Sequence, residues 1–309
     1  MSFSIPQTLV EAETLAAGGG VKFVSGGTDL IVRRSLGLDA SPDLIDLSQI
    51  PELHGITAEG GVVSIGATTT LAELATNRIV EGMFPVLVEA ALSIASPPIR
   101  NSATVAGNLL CENRCIYYDQ SEFWQAAAGG CLKCGSNVCV ATGSAKHCYS
   151  VFISDLAPVL LALDAQVEVL SDGALDLLPI ESLYSGDGLN SLTISKQTIL
   201  TRIVIPEPAE EREARVFFQK HRERASIDFT NLTVAIRQTA DGVTVAASGI
   251  GPAPAILRAV TTDDPQTIAS ALLKKSRIID NLTYRRTYRK EMLLETVRRG
   301  LEFLAEGHP

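Results

Sequence analysis

Between Cys111 and Cys148 the chain reads CENRCIYYDQSEFWQAAAGGCLKCGSNVCVATGSAKHC, and all six cysteines of the protein lie inside that stretch. Cysteines gathered in this way pair as disulfides, hold zinc or bind an iron–sulfur cluster. Disulfides need an oxidising compartment, yet the N-terminal MSFSIPQTLVEAETLAAGGG lacks a basic segment followed by an apolar export core. Zinc is favoured by the knuckle-like Cys131-x2-Cys134, although the other close pair is Cys111-x3-Cys115 rather than a second such knuckle. For a cluster, Cys131, Cys134 and Cys139 read C-x2-C-x4-C, which is not the plant-type ferredoxin order. A chain that loops out and returns can still bring four thiolates to one cube. Cys115, Cys131, Cys139 and Cys148, separated by 15, 7 and 8 residues, have a spacing that allows it. Counting leaves the ligand set open, and with it the choice between zinc and iron.

Two small-residue loops could do a different chemistry. A short β-type run ends in Ser25-Gly26-Gly27-Thr28-Asp29, where bare backbone N–H groups, the Thr28 hydroxyl and a following helix from Leu30 to Arg34 form a cradle for pyrophosphate. The loop is neither a Walker loop nor a Rossmann turn, and a plain tight turn into a helix reads equally well. The second loop, Thr104-Val105-Ala106-Gly107-Asn108, directly precedes the cysteines. Its small side chains would let a flat ring lie against backbone, and Asn108 can both donate and accept hydrogen bonds. An ordinary loop is the alternative. His54, His147, His221 and His308 are dispersed; His147 alone sits beside a cysteine, where it would support a ligand or face solvent. No Ser/His/Asp or paired-carboxylate signature points to hydrolysis.

The elements that must position these residues follow from periodicity. Leu9 to Ala17 reads as helix and Val21 to Ser25 as strand; Pro42 to Ser48 and Gly61 to Gly66 read as strands, the second leading into a helix with Leu71, Leu74 and Ala75 on one face. Phe84 to Ile94 is an apolar helix broken by Pro97-Pro98, and Leu156 to Leu170 is a buried helix followed by a strand. An acidic connector, AEEREAR (Ala209 to Arg215), leads to strands at Val216–Gln219, Leu232–Ile236 and Val243–Ser248 and helices at Asp264–Leu273 and Tyr284–Leu304, an α+β layer. The last helix carries Arg285, Arg286, Arg289, Lys290, Arg298 and Arg299 beside Leu293, Leu294, Val297 and Leu301, either a solvated face or a docking surface for a partner subunit. With 309 residues, 46% of them hydrophobic, the chain is long enough for two domains. A net charge of −9 opposes binding to nucleic acid or anionic membranes. No apolar run reaches the roughly 18 residues of a membrane span, so a soluble, cytoplasmic protein is expected.

The strings VSGGTDLIV, TVAGNL, SDLAPVLLALDA, FQKHRERASID and SGIGPAPAILRA, in this order over nearly the whole chain, resemble the FAD-binding medium subunit of the xanthine dehydrogenase, or molybdenum hydroxylase, family. The resemblance implies an α+β fold. Residues 1–207 would be a two-lobed FAD-binding domain of the vanillyl-alcohol-oxidase/PCMH type, and residues 212–309 a C-terminal domain of a small antiparallel sheet with helices, like that of CO dehydrogenase flavoproteins. It implies that Ser25, Gly26, Gly27, Thr28 and Asp29 hold the FAD pyrophosphate, that Thr104, Gly107, Asn108 and Asp155 lie near the isoalloxazine or ribityl chain, and that Lys220 lies near the flavin edge. Read without the resemblance, Asp155 is equally an N-cap and Lys220 a solvated strand end. Ala106 stands where the family more often has glycine, a change of one methyl.

The cysteine stretch departs from the usual medium subunit and resembles the insertion, here residues 111–150, that marks the β subunits of 4-hydroxybenzoyl-CoA reductases. That likeness implies a [4Fe–4S] cluster on Cys115, Cys131, Cys139 and Cys148, with Cys111 and Cys134 spare. It also implies a relay in which a ferredoxin passes electrons through cluster and FAD to a small [2Fe–2S] subunit and a large molybdenum-cofactor subunit, in a heterotrimer that dimerises, for reductive dehydroxylation of an aromatic acyl-CoA. Two alternatives stay open: an oxidative hydroxylase subunit whose FAD meets NAD or a quinone, and a zinc-stabilised binding module without redox function.

Overall fold

The computed structural model describes residues 2–208, 216–240, 242–260 and 263–306; the expected connector Ala209 to Arg215 lies outside them. Two compact units emerge, one of residues 1–110, 164–183 and 192–207, the other of residues 111–163, 184–191 and 208–309.

The first unit begins with a three-stranded parallel sheet, β1 (Ser2–Ser4), β2 (Val21–Val24) and β3 (Asp43–Asp46), ordered β1-β3-β2. Helix α1 (Leu9–Ala16) starts where the Thr8 side chain accepts a hydrogen bond from the Glu11 N–H, and α2 (Leu30–Ser35) follows β2. A five-stranded antiparallel sheet is formed by β4 (Ile56–Glu59), β5 (Val62–Gly66), β6 (Gln166–Ser171), β7 (Ala174–Pro179) and β8 (Ile199–Pro206) in the order β4-β5-β8-β6-β7. The alternation of β8, with Ile203 and Ile205 fully buried, fixes which face meets the core.

Five short helices connect β5 to the later strands: α3 (Leu71–Thr76), α4 (Arg78–Met83), α5 (Pro85–Ser93), α6 (Pro97–Arg100) and α7 (Val105–Leu109). Thr70 and Glu73 form a reciprocal capping box at the start of α3. Pro97 and Pro98, expected only to break the preceding helix, also open α6, because a proline ring suits the first helical turn.

The second unit holds α8 (Glu122–Ala127) and α9 (Leu156–Ala162), then the antiparallel strands β9 (Val216–His221), β10 (Leu232–Gln238), β11 (Val243–Ser248) and β12 (Ala255–Ala259), with α10 (Pro265–Lys275) and α11 (Arg286–Ala305). The sheet order is β12-β11-β10-β9. Central β10 is buried from Leu232 to Arg237. Leu232, Val234 and Ile236 join Ile268 and Leu272 of α10 and Leu293 and Val297 of α11 in one core, while Thr233, of opposite parity, reaches Asp155 at the start of α9. None of the three sheets closes into a barrel.

The basic face expected on the last helix is not uniform. Arg289 is fully buried and donates to the carbonyls of Asn231 (3.3 Å), Ile279 (3.0 Å) and Gly249, so it straps α11 to the sheet's loops rather than facing a partner. Arg298 is engaged by Glu295 and Glu302 on its own helix, at 2.8 and 2.6 Å. Among the described residues no helix is long and apolar enough to cross a membrane.

Within the second unit the two ends of the cysteine stretch meet at one backbone pair. Arg114 and Val151 exchange backbone hydrogen bonds of 2.8 and 2.7 Å, and the Asn113 amide donates to the carbonyls of Ser150 (3.0 Å) and Pro252 (2.8 Å).

Candidate functional site

In the first unit the Ser25–Asp29 loop meets, backbone to backbone, the segment that leads into Thr104. A Cβ on Gly26 would stand 1.8 Å from the carbonyl oxygen of Ser102, 2.5 Å from its carbon and 3.1 Å from the nitrogen of Ala103, so only glycine fits. Gly27 adopts φ +67°, the left-handed turn that a side chain would strain. Among the described residues the N–H groups of Gly26, Gly27 and Thr28 find no protein acceptor, although Gly27 accepts from Ile31 N–H at 3.0 Å. Three consecutive unengaged donors beside a bare backbone surface can hydrogen-bond the oxygens of an anion.

The opposing loop is held firmly. Thr104 caps α7 by accepting from the Gly107 N–H at 3.1 Å. The flanking backbone is tied by Leu71 N–H to Ala103 O (2.8 Å), Val105 N–H to Thr69 O (2.9 Å) and Ala106 N–H to Ala67 O (3.1 Å). Asn108 lies within α7. Gly26 of the Ser25–Asp29 loop thus abuts Ser102 and Ala103, the two residues that lead into Thr104–Asn108.

Asp155 and Lys220 meet in the second unit. Asp155 does not cap α9; Ser154 does, its hydroxyl accepting from the Ala157 N–H at 3.0 Å. That leaves the Asp155 carboxylate to accept from Lys220 Nζ and from the Thr233 hydroxyl, both at 2.6 Å. Lys220 is no solvated strand end, because its side chain is 4% exposed and that of Asp155 5%. Burial lifts the Asp155 carboxyl above its ordinary value, against the opposing pull of Lys220 and Thr233. Thr230 lies 2.7 Å from Thr233 and extends the network. Sequence reasoning missed both threonines; the only signal for them is strand alternation, which does not name a partner.

The cysteines sort by burial. Cys115, Cys131, Cys139 and Cys148 are buried, whereas Cys111 is half-buried and Cys134 exposed, and none is in a disulfide. The four buried thiols line a single narrow cavity of 10 Å³, walled also by Tyr118, Lys133 and Asn281. All four lie outside regular helices and strands, and Cys115, Cys131 and Cys139 each accept a pair of backbone N–H bonds at their carbonyls. Among the described residues no three His, Cys, Asp or Glu side chains are gathered closely enough to hold one metal ion.

Several contacts fix this cavity. Burial pushes the Cys115 thiol up to about 11, although the N–H groups of Tyr117 and Tyr118 bond to it and favour the thiolate. Burial and the adjacent Cys131 thiol likewise push Cys134 up to about 11. The Cys148 N–H donates to Asp187 at 3.1 Å, and a Cβ on Gly188 would lie 2.2 Å from the Ser150 hydroxyl and 2.9 Å from the Cys148 sulfur. Lys133 pairs with Glu112 and stands 5.0 Å from the Tyr118 ring centre. His147 turns to Asp187 at 3.3 Å and is largely exposed.

Residues 1–208 match the family model described as the FAD binding domain in molybdopterin dehydrogenase. The aldehyde oxidoreductase FAD-binding subunit PaoB of Escherichia coli (strain K12) is 29% identical over 245 residues, 76% of this chain and 76% of that one. The carbon monoxide dehydrogenase medium chain of Hydrogenophaga pseudoflava is 38% identical over 109 residues, 35% of this chain and 38% of that one. Among solved structures, carbon monoxide dehydrogenase from Hydrogenophaga pseudoflava superposes with a TM-score of 0.73 at 21% identity, covering 98% of this chain and 96% of that one. Quinoline 2-oxidoreductase from Pseudomonas putida 86 does so with a TM-score of 0.72 at 17% identity, covering 99% and 97%. The two superpositions speak for the fold.

Proposed function

Since this chain belongs to the family of FAD binding domains in molybdopterin dehydrogenases, we propose that it is the FAD and [4Fe–4S] electron-transfer subunit of a molybdenum-containing oxidoreductase complex of the 4-hydroxybenzoyl-CoA reductase type. The observation that carries the cluster is the sorting of six cysteines: the four in the C-x15-C-x7-C-x8-C spacing are the four that are buried around one cavity. FAD exchanges two electrons, and a four-iron cluster exchanges one at a time.

The chain's own residues bind, orient and insulate. The N–H groups of Gly26, Gly27 and Thr28 would hold the diphosphate of FAD, with Ser25 and Asp29 at the edges of the turn. Thr104, Gly107 and Asn108 would present small side chains and an amide to the flavin portion. Asp155 and Lys220 would act from a preformed ion pair whose charges are already oriented. Cys115, Cys131, Cys139 and Cys148 would ligate the cluster, with N–H donors from Tyr117 and Tyr118 stabilising thiolate at Cys115. The 10 Å³ cavity is smaller than such a cluster, so the four side chains would have to turn apart to admit it.

The complex would add a large molybdenum-cofactor subunit and a small [2Fe–2S] subunit, take electrons from a ferredoxin and remove the hydroxyl of an aromatic acyl-CoA. A second reading reverses the flow toward NAD or a quinone in an oxidative hydroxylase. The relatives named as aldehyde oxidoreductase and carbon monoxide dehydrogenase subunits favour it. Analysis of anaerobically purified protein for metal, sulfide and flavin tests the proposal. The expected result is about four iron and four sulfide beside about one FAD, with a broad absorption band that bleaches on reduction. One zinc without iron would overturn the cluster, and direct flavin reduction by NADH would select the oxidative reading.

A further inference from the structure

A second cavity, of 390 Å³, adjoins the cysteines. Its wall combines Thr142, Ser144 and Tyr149 of the cysteine stretch with Ser276 and Arg277 just beyond α10 and Lys290 of α11. Tyr149 and Ile279 line both this cavity and the one enclosed by the four buried cysteines, so one layer of side chains separates them.

The chemistry at this rim opposes that of the chain as a whole. Arg277 and Lys290 are exposed, and among the described residues neither side chain has a hydrogen-bond or ion-pair partner. The acid nearest Arg277 in sequence, Asp280, is already engaged by Arg286, whose backbone N–H donates to it at 2.7 Å and whose guanidinium lies 3.6 Å away; exposed Glu291 follows Lys290 in the chain and forms no ion pair with it. Exposed Lys146 lies two residues from Ser144. The hydroxyls of Thr142, Ser144 and Tyr149 add donors, while that of Ser276 already donates to the Leu273 carbonyl at 2.7 Å. In a protein of net charge −9, two unpaired cations ringed by hydroxyls form a local positive field suited to carboxylates.

We propose that this cavity is the docking point for an acidic one-electron carrier protein, whose surface carboxylates engage Arg277 and Lys290 and the hydroxyls around them. The inference rests on the reading of the cysteine cavity as a cluster site. Docking here leaves only the Tyr149 and Ile279 layer between carrier and cysteines. In each encounter the carrier would leave oxidised by one electron and the subunit reduced by one, with no bond made or broken.

The test is direct binding of an acidic plant-type [2Fe–2S] ferredoxin to the full chain, followed by calorimetry between about 0.02 and 0.2 M salt, with iron and sulfide determined on each preparation. Arg277→Glu/Lys290→Glu is expected to weaken binding by at least about ten-fold at low salt and to flatten its salt dependence. Arg78→Glu/Lys196→Glu makes the same change in net charge at exposed positions of the first unit and is expected to bind as the parent does. Absence of ferredoxin binding to the parent chain would overturn the proposal. So would parental binding by the Arg277/Lys290 variant, equal weakening in the control, or saturable binding of inorganic phosphate that the Arg277/Lys290 variant loses while ferredoxin binding stays unchanged. A preparation with charge-specific docking but without iron would instead sink the cluster reading, so the two failures separate.

Discussion

Gly26→Ala probes the contact on which the proposed diphosphate cradle depends. The added methyl would stand 1.8 Å from Ser102 O, and ordinary contact begins at 3.4 Å, so the two loops must separate by the difference, 3.4 − 1.8 = 1.6 Å. The obstruction is backbone rather than a flexible side chain, and Gly26 is outside the left-handed region, so the cost is steric alone. Overpacking of this kind costs about 1–3 kcal/mol. A shift of that size also exceeds the tolerance of an N–H···O bond. Losing one charge-assisted bond to the diphosphate is worth about 1.5–3 kcal/mol, or about 10- to 150-fold in the Kd for FAD. Titration of apoprotein with FAD and thermal melting would read the two effects separately, with Tm falling by about 2–4 °C per kcal/mol in a unit of this size. Gly18→Ala is the matched control, because a Cβ there meets nothing within 4 Å. Parental FAD affinity and Tm in Gly26→Ala, or equal damage in Gly18→Ala, would refute the reasoning.

Other perturbations separate the remaining parts. Gly188→Ala crowds the Cys148 sulfur at 2.9 Å without removing a ligand and should lower iron loading while FAD stays bound; full iron content would refute it. Cys139→Ser should abolish the iron absorption and Cys134→Ser should not, and retention of four irons in the Cys139 variant would sink the ligand assignment. Lys220→Met strands the buried Asp155 carboxylate and should cost about 3–5 kcal/mol in urea unfolding, with Asp155→Leu added to it recovering most of the loss; an unchanged midpoint in the single variant would count against a buried pair. The Glu73 carboxyl, though burial alone would raise it, is held below its ordinary value by the Thr70 N–H and hydroxyl and by His54. That stabilisation is present above pH 4.5 and is lost as pH falls through the lower folded-state value. Melting curves of the parent and Glu73→Gln should therefore converge as pH falls below 4.5, and a constant gap would contradict the assignment.

Where structure follows from neighbours along the chain, the sequence was legible. The helix from Leu9, the strand before Gly26, the helix then strand across Leu156–Leu170 and the long C-terminal helix all stand where periodicity puts them. Strand β7 had no such signal, because Leu175 and Leu177 are exposed and it shows no buried face. Long-range partners were the harder part. Ser154-Asp155 reads as a cap from either residue, and only Thr233, 78 positions away, reveals that serine caps while aspartate turns inward. Arg289 looks like its charged neighbours until the three carbonyls it satisfies are seen to come from separate loops. The division of the cysteines into four buried and two more open depends on how the stretch folds back, which spacing restricts but does not determine.

The paired hydrogen bonds between Arg114 and Val151 bring the two ends of the cysteine stretch together. A hydrogen-bonded antiparallel pair holds its Cα atoms about 5.5 Å apart, a gap that a two-residue Asn-Gly hairpin turn closes. Joining Arg114 to Val151 through such a turn would keep β9 to β12 in sequence but would strip buried Asn281 of its bonds to Ile116 and Tyr149, and Asp187 of its bond to Cys148. The stretch is therefore closed at its neck by backbone and moored along its length by Asn281 and Asp187, so that host and insertion share the cost of either one's change.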